Sequence, residues 1–373
     1  MAKREEPKPT SPRKDWAWIA LVLAFIILVG TNAYTFKLLS DQMERNKIQA
    51  RQIPAAFDSG LRDFRVANAH DHLFSRSHLD KYLEAAKETG VVSTIMVASS
   101  EYTLMGAGHD QAKGNHENTL EILAVAAEHP SELIAFCAVH PDDPQKLERL
   151  KFYVAQGARG LKLYTGHANF YRHPLDWEGM EEVYAYCDEK RLPICWHVNI
   201  AKYLAEFERV MQRHPNTIVI VPHFGVTFFQ PRQQPFREFQ RLLDTYPNLY
   251  TDTSFGTRDI LVSGLEAVSN DVETFRAFFE KYSNRILFGT DMVITGNKEK
   301  TPDWIAAVVR ACRDLLEKET FHFYMGAKGS PYASKKANNI YGAYRGLHLS
   351  DDILRKIYET NINKILNPSE PQK

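Results

Sequence analysis

From residue 65 onward, short apolar runs alternate with longer stretches in which apolar residues recur every three or four positions. The runs are Arg65–Ala69, Val91–Ala98, Leu133–Val139, Gly160–Tyr164, Pro193–His197, Thr217–Pro222, Leu249–Thr253 and Arg285–Gly289. Each is of strand length and bounded by turn residues. The stretches between them, such as LDKYLEAAKETG, HENTLEILAVAAEHP, PQKLERLKFYVAQG, MEEVYAYCDEK and FREFQRLLDTYP, carry helical spacing. Gly90, Gly157 and the His-Pro or Tyr-Pro pairs near residues 129, 214 and 246 close several of them. Strands alternating with helices predict a parallel sheet, and eight repeats predict closure into a (β/α)8 TIM barrel over about Arg65 to Leu366. An open doubly wound sheet has less support, because no glycine-rich phosphate loop follows the first strand.

The pattern differs before residue 55. Trp16–Phe36 holds 21 residues without a charge, enough to span a hydrocarbon core as a helix, with Trp16, Trp18, Tyr34 and Phe36 near its ends. Lys3, Arg4, Lys8, Arg13 and Lys14 precede it and favour a cytoplasmic N-terminus. A cleaved signal peptide is the rival, with Thr31 and Ala33 as a weak small-x-small site. The division expected is therefore a cytoplasmic tail (1–15), a transmembrane anchor (16–36), a helical stalk (37–54) and a barrel (55–373). Either choice puts the barrel outside the cytoplasm, as a single-pass membrane protein in the anchored case.

Composition narrows the picture further. Lys plus Arg and Asp plus Glu are 46 each, so no basic excess points to nucleic acid. Hydrophobic residues make up 44%, which permits a sizeable core. Cys137, Cys187, Cys195 and Cys312 lack metal-finger or CxxC spacing and read as buried small hydrophobes.

Several apolar runs end in ionisable groups. They are His70 and His72 in VANAHDHLF, His197 in LPICWHVN, His223 in IVIVPHFG and Asp291 in RILFGTDM. Buried strands do not normally end this way, and the carboxyl-end rim of an α/β barrel is where that fold keeps its chemistry. His70 and His72, two apart on one strand, share a face. Imidazoles with one carboxylate form the ligand set of a catalytic zinc-like ion with an open position. Zinc is expected first, and the same donors accept manganese, iron or cobalt.

These elements resemble the amidohydrolase superfamily of metal-dependent barrels. Within it the chain is similar to the branch containing aminocarboxymuconate semialdehyde decarboxylase and the dicarboxylate lactonases. The resemblance rests on NAHDHL, WHVN, PHFG and FGTDM, and on LSDDILRKIYETNINKIL with its Asn361, and covers about residues 64–367. It implies that His70, His72, His197 and Asp291 hold one metal ion. It also implies that His223 orients or deprotonates the bound water, or polarises the substrate, while Asp291 shuttles a proton. Asn68 stands where many relatives have Asp. Lys162, in ARGLKLYTGH, has three readings: a carboxylated bridge between two metals, as in some superfamily members, a cation for a substrate carboxylate, or a structural lysine reaching solvent. One ion is expected over two. Tyr164, His167, Tyr171 and Arg172 follow strand four, and His140 follows strand three, as further substrate contacts. His109 and His116 flank a loop after strand two.

The activity expected is hydrolysis of a small-molecule ester, lactone or amide by metal-activated water. The alternatives are a metal-dependent decarboxylase and an inactive, metal-stabilised binding barrel. Relatives often pair, so a homodimer is a further expectation.

Overall fold

The computed structural model describes residues 60–99, 114–227, 234–256, 259–298, 300–323 and 343–368. The expected tail, anchor and stalk, and His109, lie outside these residues. No helix among the described residues is long and apolar enough to cross a membrane.

Eight strands follow the apolar runs: β1 (Val66–Leu73), β2 (Val91–Val97), β3 (Leu133–Ala138), β4 (Gly160–Gly166), β5 (Ile194–Val198), β6 (Val219–Val221), β7 (Leu249–Asp252) and β8 (Ile286–Leu287). A ninth, β9 (Met292–Ile294), was not expected. The strand order is β8-β7-β6-β5-β4-β3-β2-β1-β9, parallel throughout. β8 and β9 are the two halves of one broken strand. The first half pairs with β7 and the second with β1. The Ala69 amide donates to the Phe288 carbonyl and the Asp291 amide to the His70 carbonyl, both at 2.7 Å, across the break. The sheet is thereby joined edge to edge in a TIM-barrel-like α/β fold.

Helices cover the outside because their apolar spacing gives each one buried stripe. α1 (Leu79–Glu88) buries Leu79, Tyr82, Ala85 and Ala86. α2 (Asn115–Glu128), α3 (Lys146–Ala155), α4 (Glu181–Lys190) and α5 (Ile200–Arg213) follow β2 to β5 in turn. α6 (Gln234–Thr245) buries Phe236, Phe239, Leu242 and Leu243. α7 (Asp259–Asn270), α8 (Val272–Lys281) and α9 (Pro302–Glu317) complete the layer. A short antiparallel pair, β10 (Thr320–His322) with β11 (Ala343–Arg345), lies outside the barrel sheet.

The barrel interior is a packed core of its own, with Ala67, Ile95, Phe136, Cys195, Ile220 and Leu287 among its members. Gly160 permits this density, since a Cβ there would lie 2.4 Å from the Phe136 ring. The C-terminal segment runs α10 (Asp351–Arg355), a π turn (Lys356–Thr360) and α11 (Asn361–Leu366). Ile362 and Ile365 of α11 pack into the interior cluster. Asn361 donates to the Ser283 and Ile286 carbonyls at 2.8 Å each, tying α11 to the start of β8.

One irregularity sets up the site. Ala67 and Ala69 of β1 belong to the interior cluster, so strict alternation would turn His70 and His72 outward. A register shift between Asn68 and Asp71 reverses the phase. Such a bulge re-aims the side chains that follow it. His70 and His72 then reach residues across the barrel mouth, while Asp71 meets Tyr82 of α1.

Candidate metal centre

The five candidate ligands come from four strand ends at the mouth. His70, His223 and Asp291 each offer a ligand atom, and these atoms lie within 4.8 Å of one another. His72 Nε2 is 2.9 Å from Asp291 Oδ1, and His70 Nε2 is 3.3 Å from the same oxygen. His223 Nε2 is 3.5 Å from Asp291 Oδ2. The His197 ring centroid is 5.1 Å from that of His223 and 4.4 Å from that of His167. His197 thus borders the cluster, one ring from its centre.

The backbone is unusual at two of these positions. Asp291 has φ +51°, and His223, Phe224 and Val226 have φ +57°, +52° and +59°. Non-glycine residues in the left-handed region are uncommon, above all a β-branched valine. Such conformations concentrate where a fold must aim a side chain.

Hydrogen bonds assign the imidazole protons. His70 Nδ1 is 3.0 Å from Asp252 Oδ2. Burial opposes the Asp252 charge, but the hydrogen bond from His70, with His223 and Ser254, holds its carboxyl down at about 2. An ionised carboxylate only accepts, so His70 Nδ1 carries the proton and Nε2 keeps a bare lone pair. His223 Nδ1 lies 2.9 Å from the Ser254 carbonyl and 2.8 Å from Ser254 Oγ, whose own proton goes to Asp252. Both partners accept, so His223 Nδ1 carries a proton and, in the neutral ring, Nε2 is the acceptor. His72 Nδ1 is 2.9 Å from Ser99 Oγ, a hydroxyl that serves either tautomer.

The protonation states match a metal site. Burial, with Lys162 nearby, lowers His70, and burial lowers His72 to about 4. Both are therefore neutral imidazoles at neutral pH. Asp291 is held well below the usual carboxylate range: burial opposes its charge, but His70, His72 and His223 together outweigh that. Neutral imidazoles and an ionised carboxylate are the forms that ligate a divalent ion. Asp252, Ser254 and Ser99 supply the outer bonds that orient such ligands.

Lys162 is not at the solvent rim. It is 1% exposed, which overturns that reading of it. Leu161 and Leu163 on either side pack outward in the main core, so strand alternation turns Lys162 into the barrel. Its Nζ is 3.1 Å from His70 Nε2 and 3.5 Å from Cys195 Sγ. His167 accepts the Asn169 amide at Nδ1, leaving Nε2 as the donor, and burial lowers it to about 4. Tyr164 donates to the Ala98 carbonyl at 2.9 Å, and its ring lies 5.0 Å from Lys162 Nζ. His140 lines a hollow with Asn115, Tyr164 and Phe170.

Other expected contacts lie elsewhere. Arg172 is paired with Asp142 at 3.0 Å and its side chain is 43% exposed, so the structure does not bring it to the cluster. Tyr171 donates to Glu206 and stacks on Tyr203. His116 is bonded to Tyr153.

The residue reading missed Asp252, although NLYTD is another apolar run ending in a carboxylate and the same rule finds it. It also missed Asp71, which burial pushes up to about 7 against hydrogen bonds from Thr290, Met292 and Tyr82. No strand-end rule finds that residue, because its surroundings depend on the bulge.

Comparison with known proteins adds the family. No curated protein matches the chain. Among solved structures, the chain is similar to a protein of Acinetobacter baumannii described as a probable 2-pyrone-4,6-dicarboxylic acid hydrolase. The two are 12% identical with a TM-score of 0.53, over 81% of this chain and 99% of that one. An amidohydrolase of Burkholderia multivorans matches at 12% identity and TM-score 0.52, again over 81% of this chain and 99% of that one. At such identity the likeness is one of fold. The amidohydrolase family model matches residues 98–367, from the end of β2 through α11, leaving the two β1 histidines outside the match. That span is most of the chain, and the protein belongs to the amidohydrolase superfamily of enzymes.

Proposed function

We propose that this protein is a metal-dependent hydrolase of a small molecule bearing an ester, lactone or amide bond. The observation that carries the reading is the convergence of His70 Nε2 and His223 Nε2 on Asp291, with the Nδ1 of each ring held by an acceptor. His70, His72 and Asp291 would hold one divalent ion, zinc first by donor type, with His197 completing the set. A divalent ion there supplies an acidified water and polarises a carbonyl.

The chain's own groups do the rest. Asp291 Oδ2 faces His223 and has room to take the proton of the attacking water, then return it to the leaving group. The Nε2 of His223 orients that water. His167 presents an N–H donor toward the mouth, suited to a carbonyl or hydroxyl of the substrate. Lys162 is close enough to His70 Nε2 to pair with a substrate carboxylate or, carboxylated, to bridge a second ion. A second ligand assignment has an observation behind it: His223, not His197, lies in the tight cluster. Metal content separates them. The ligand variant, His197→Ala or His223→Ala, loses the ion, and the other keeps it while losing turnover.

The reaction itself is tested on a panel of small esters, lactones and amides in ¹⁸O-water. Label entering the product carboxylate supports hydrolysis. Carbon dioxide release with no label in the organic product would establish the decarboxylase instead.

A further inference from the structure

Asp71 sits between two of the proposed metal ligands, yet its side chain points the other way. It is fully buried on the outer side of β1, in the layer between the sheet and α1. Four donors converge on its carboxylate. Thr290 Oγ1 donates to Oδ1 at 2.5 Å and the Met292 amide donates to the same oxygen at 2.7 Å. Tyr82 donates to Oδ2 at 2.8 Å and Asn68 Nδ2 at 2.6 Å.

The first two donors are the neighbours of Asp291 on either side. Asp291 itself is left-handed, at φ +51°, in the gap between β8 and β9 where regular pairing lapses. Its amide is held by the His70 carbonyl. Asn68 reinforces the arrangement from the other flank of the bulge: its Oδ1 takes the His70 and Thr290 amides, and its Nδ2 reaches Thr290 Oγ1. One carboxylate therefore spans the bulge that turns His70 and His72 inward and grips both shoulders of the residue they must meet. Fully satisfied buried hydrogen-bond networks give unique geometry.

We propose that Asp71 is the positioning residue of Asp291, clamping Thr290 and Met292 so that the Asp291 carboxylate stands at the β1 histidines. The benefit to metal binding rests on the metal-dependent reading above; the geometric clamp does not.

The test uses the full-length chain and two variants. Asp71→Asn keeps the size and disturbs the acceptor set, while Thr290→Val removes a single donor and is the milder change. Crystal structures of both, prepared metal-free, read the Asp291 backbone and its distance to His72 Nε2. Cobalt(II) titration then reads affinity and the visible absorption bands. The clamp predicts that Asp291 leaves its left-handed conformation or moves by about 1 Å or more. It also predicts cobalt affinity falling about 10–100-fold with altered bands, the range for lost outer-shell support. Unchanged Asp291 geometry in the variants overturns the proposal, even where the urea midpoint falls, since that would be a structural role only. If Asp71→Asn does not fold, Thr290→Val decides by the same criteria. Failure of the unaltered protein to bind cobalt would sink the metal reading, while the metal-free structures still judge the clamp.

Discussion

At the residue scale, the centre depends on groups that hold its candidate ligands from behind. Asp252 is the clearest. It fixes the His70 tautomer and, through the His223 and Ser254 amides, the start of the left-handed turn that aims His223. Asp252→Asn should lower metal affinity about 10–100-fold with the ligands themselves intact. Competition against a chromophoric chelator measures this, and unchanged affinity would show that the bond to His70 orients nothing. His70, His72, His197, His223 and Asp291 were legible in the sequence because an ionisable residue ending an apolar strand is anomalous. Asp252 was legible by the same rule and was passed over. Lys162 shows where residue reading stops: lysine chemistry left a metal bridge, a substrate cation and a solvent-reaching side chain open, and burial inside β4 removes the last. Asp71 could not be read at all, since its role depends on the bulge that changes which face it occupies.

At the scale of elements, the strands and helices followed the hydrophobic period closely. Burial on both faces makes each barrel strand a continuous apolar run, and one-sided burial stripes each helix. What escaped were pieces set by distant pairing. β9 has three residues and exists because β1 is beside it, and β10 and β11 are three-residue segments that define each other. The joint between α9 and the rest is another long-range feature. Arg313, 1% exposed, donates to Glu317, the Thr89 carbonyl and the Arg62 carbonyl, each at 2.6 Å. Glu317 in turn accepts from Tyr358 and the Arg62 amide. This network joins α9 to the chain entering β1, the end of α1 and the C-terminal π turn. Arg313→Ala should destabilise by about 3–5 kcal/mol, because it leaves a buried carboxylate uncompensated. Urea denaturation reads that loss, and metal affinity should stay at the unaltered value.

At the scale of the whole molecule, the core is rich in buried acids that stay protonated. Burial pushes the Cys137 thiol up to about 12, and drives Cys187, Tyr184 and Tyr358 well above their ordinary values. The folded state thus keeps protons that the unfolded chain releases above pH 9 to 10. Stability is therefore fully present below those values and declines as pH rises. Cys137 alone would contribute a loss of about 4 kcal/mol between pH 9 and pH 12, at about 1.4 kcal/mol per unit, about half of it by pH 10.5. Urea midpoints at pH 8 and pH 10.5 should differ sharply; equal midpoints would contradict the buried assignments. The charge-free run Trp16–Phe36 leads to a separate proposal, that the protein is held in a membrane. Alkaline carbonate washing should leave the full-length chain with the membrane fraction, and a Leu23→Arg/Ile26→Arg variant should be released. Release of both would end the anchor proposal.

In the proposed function, strand ends from across the barrel build one metal centre. Elemental analysis of the purified full-length protein, beside a His70→Ala/His72→Ala variant, tests it most directly. About one equivalent of a divalent ion per chain, absent from the variant, is expected. A metal-free protein that stays so after reconstitution with zinc, manganese, iron or cobalt would contradict it.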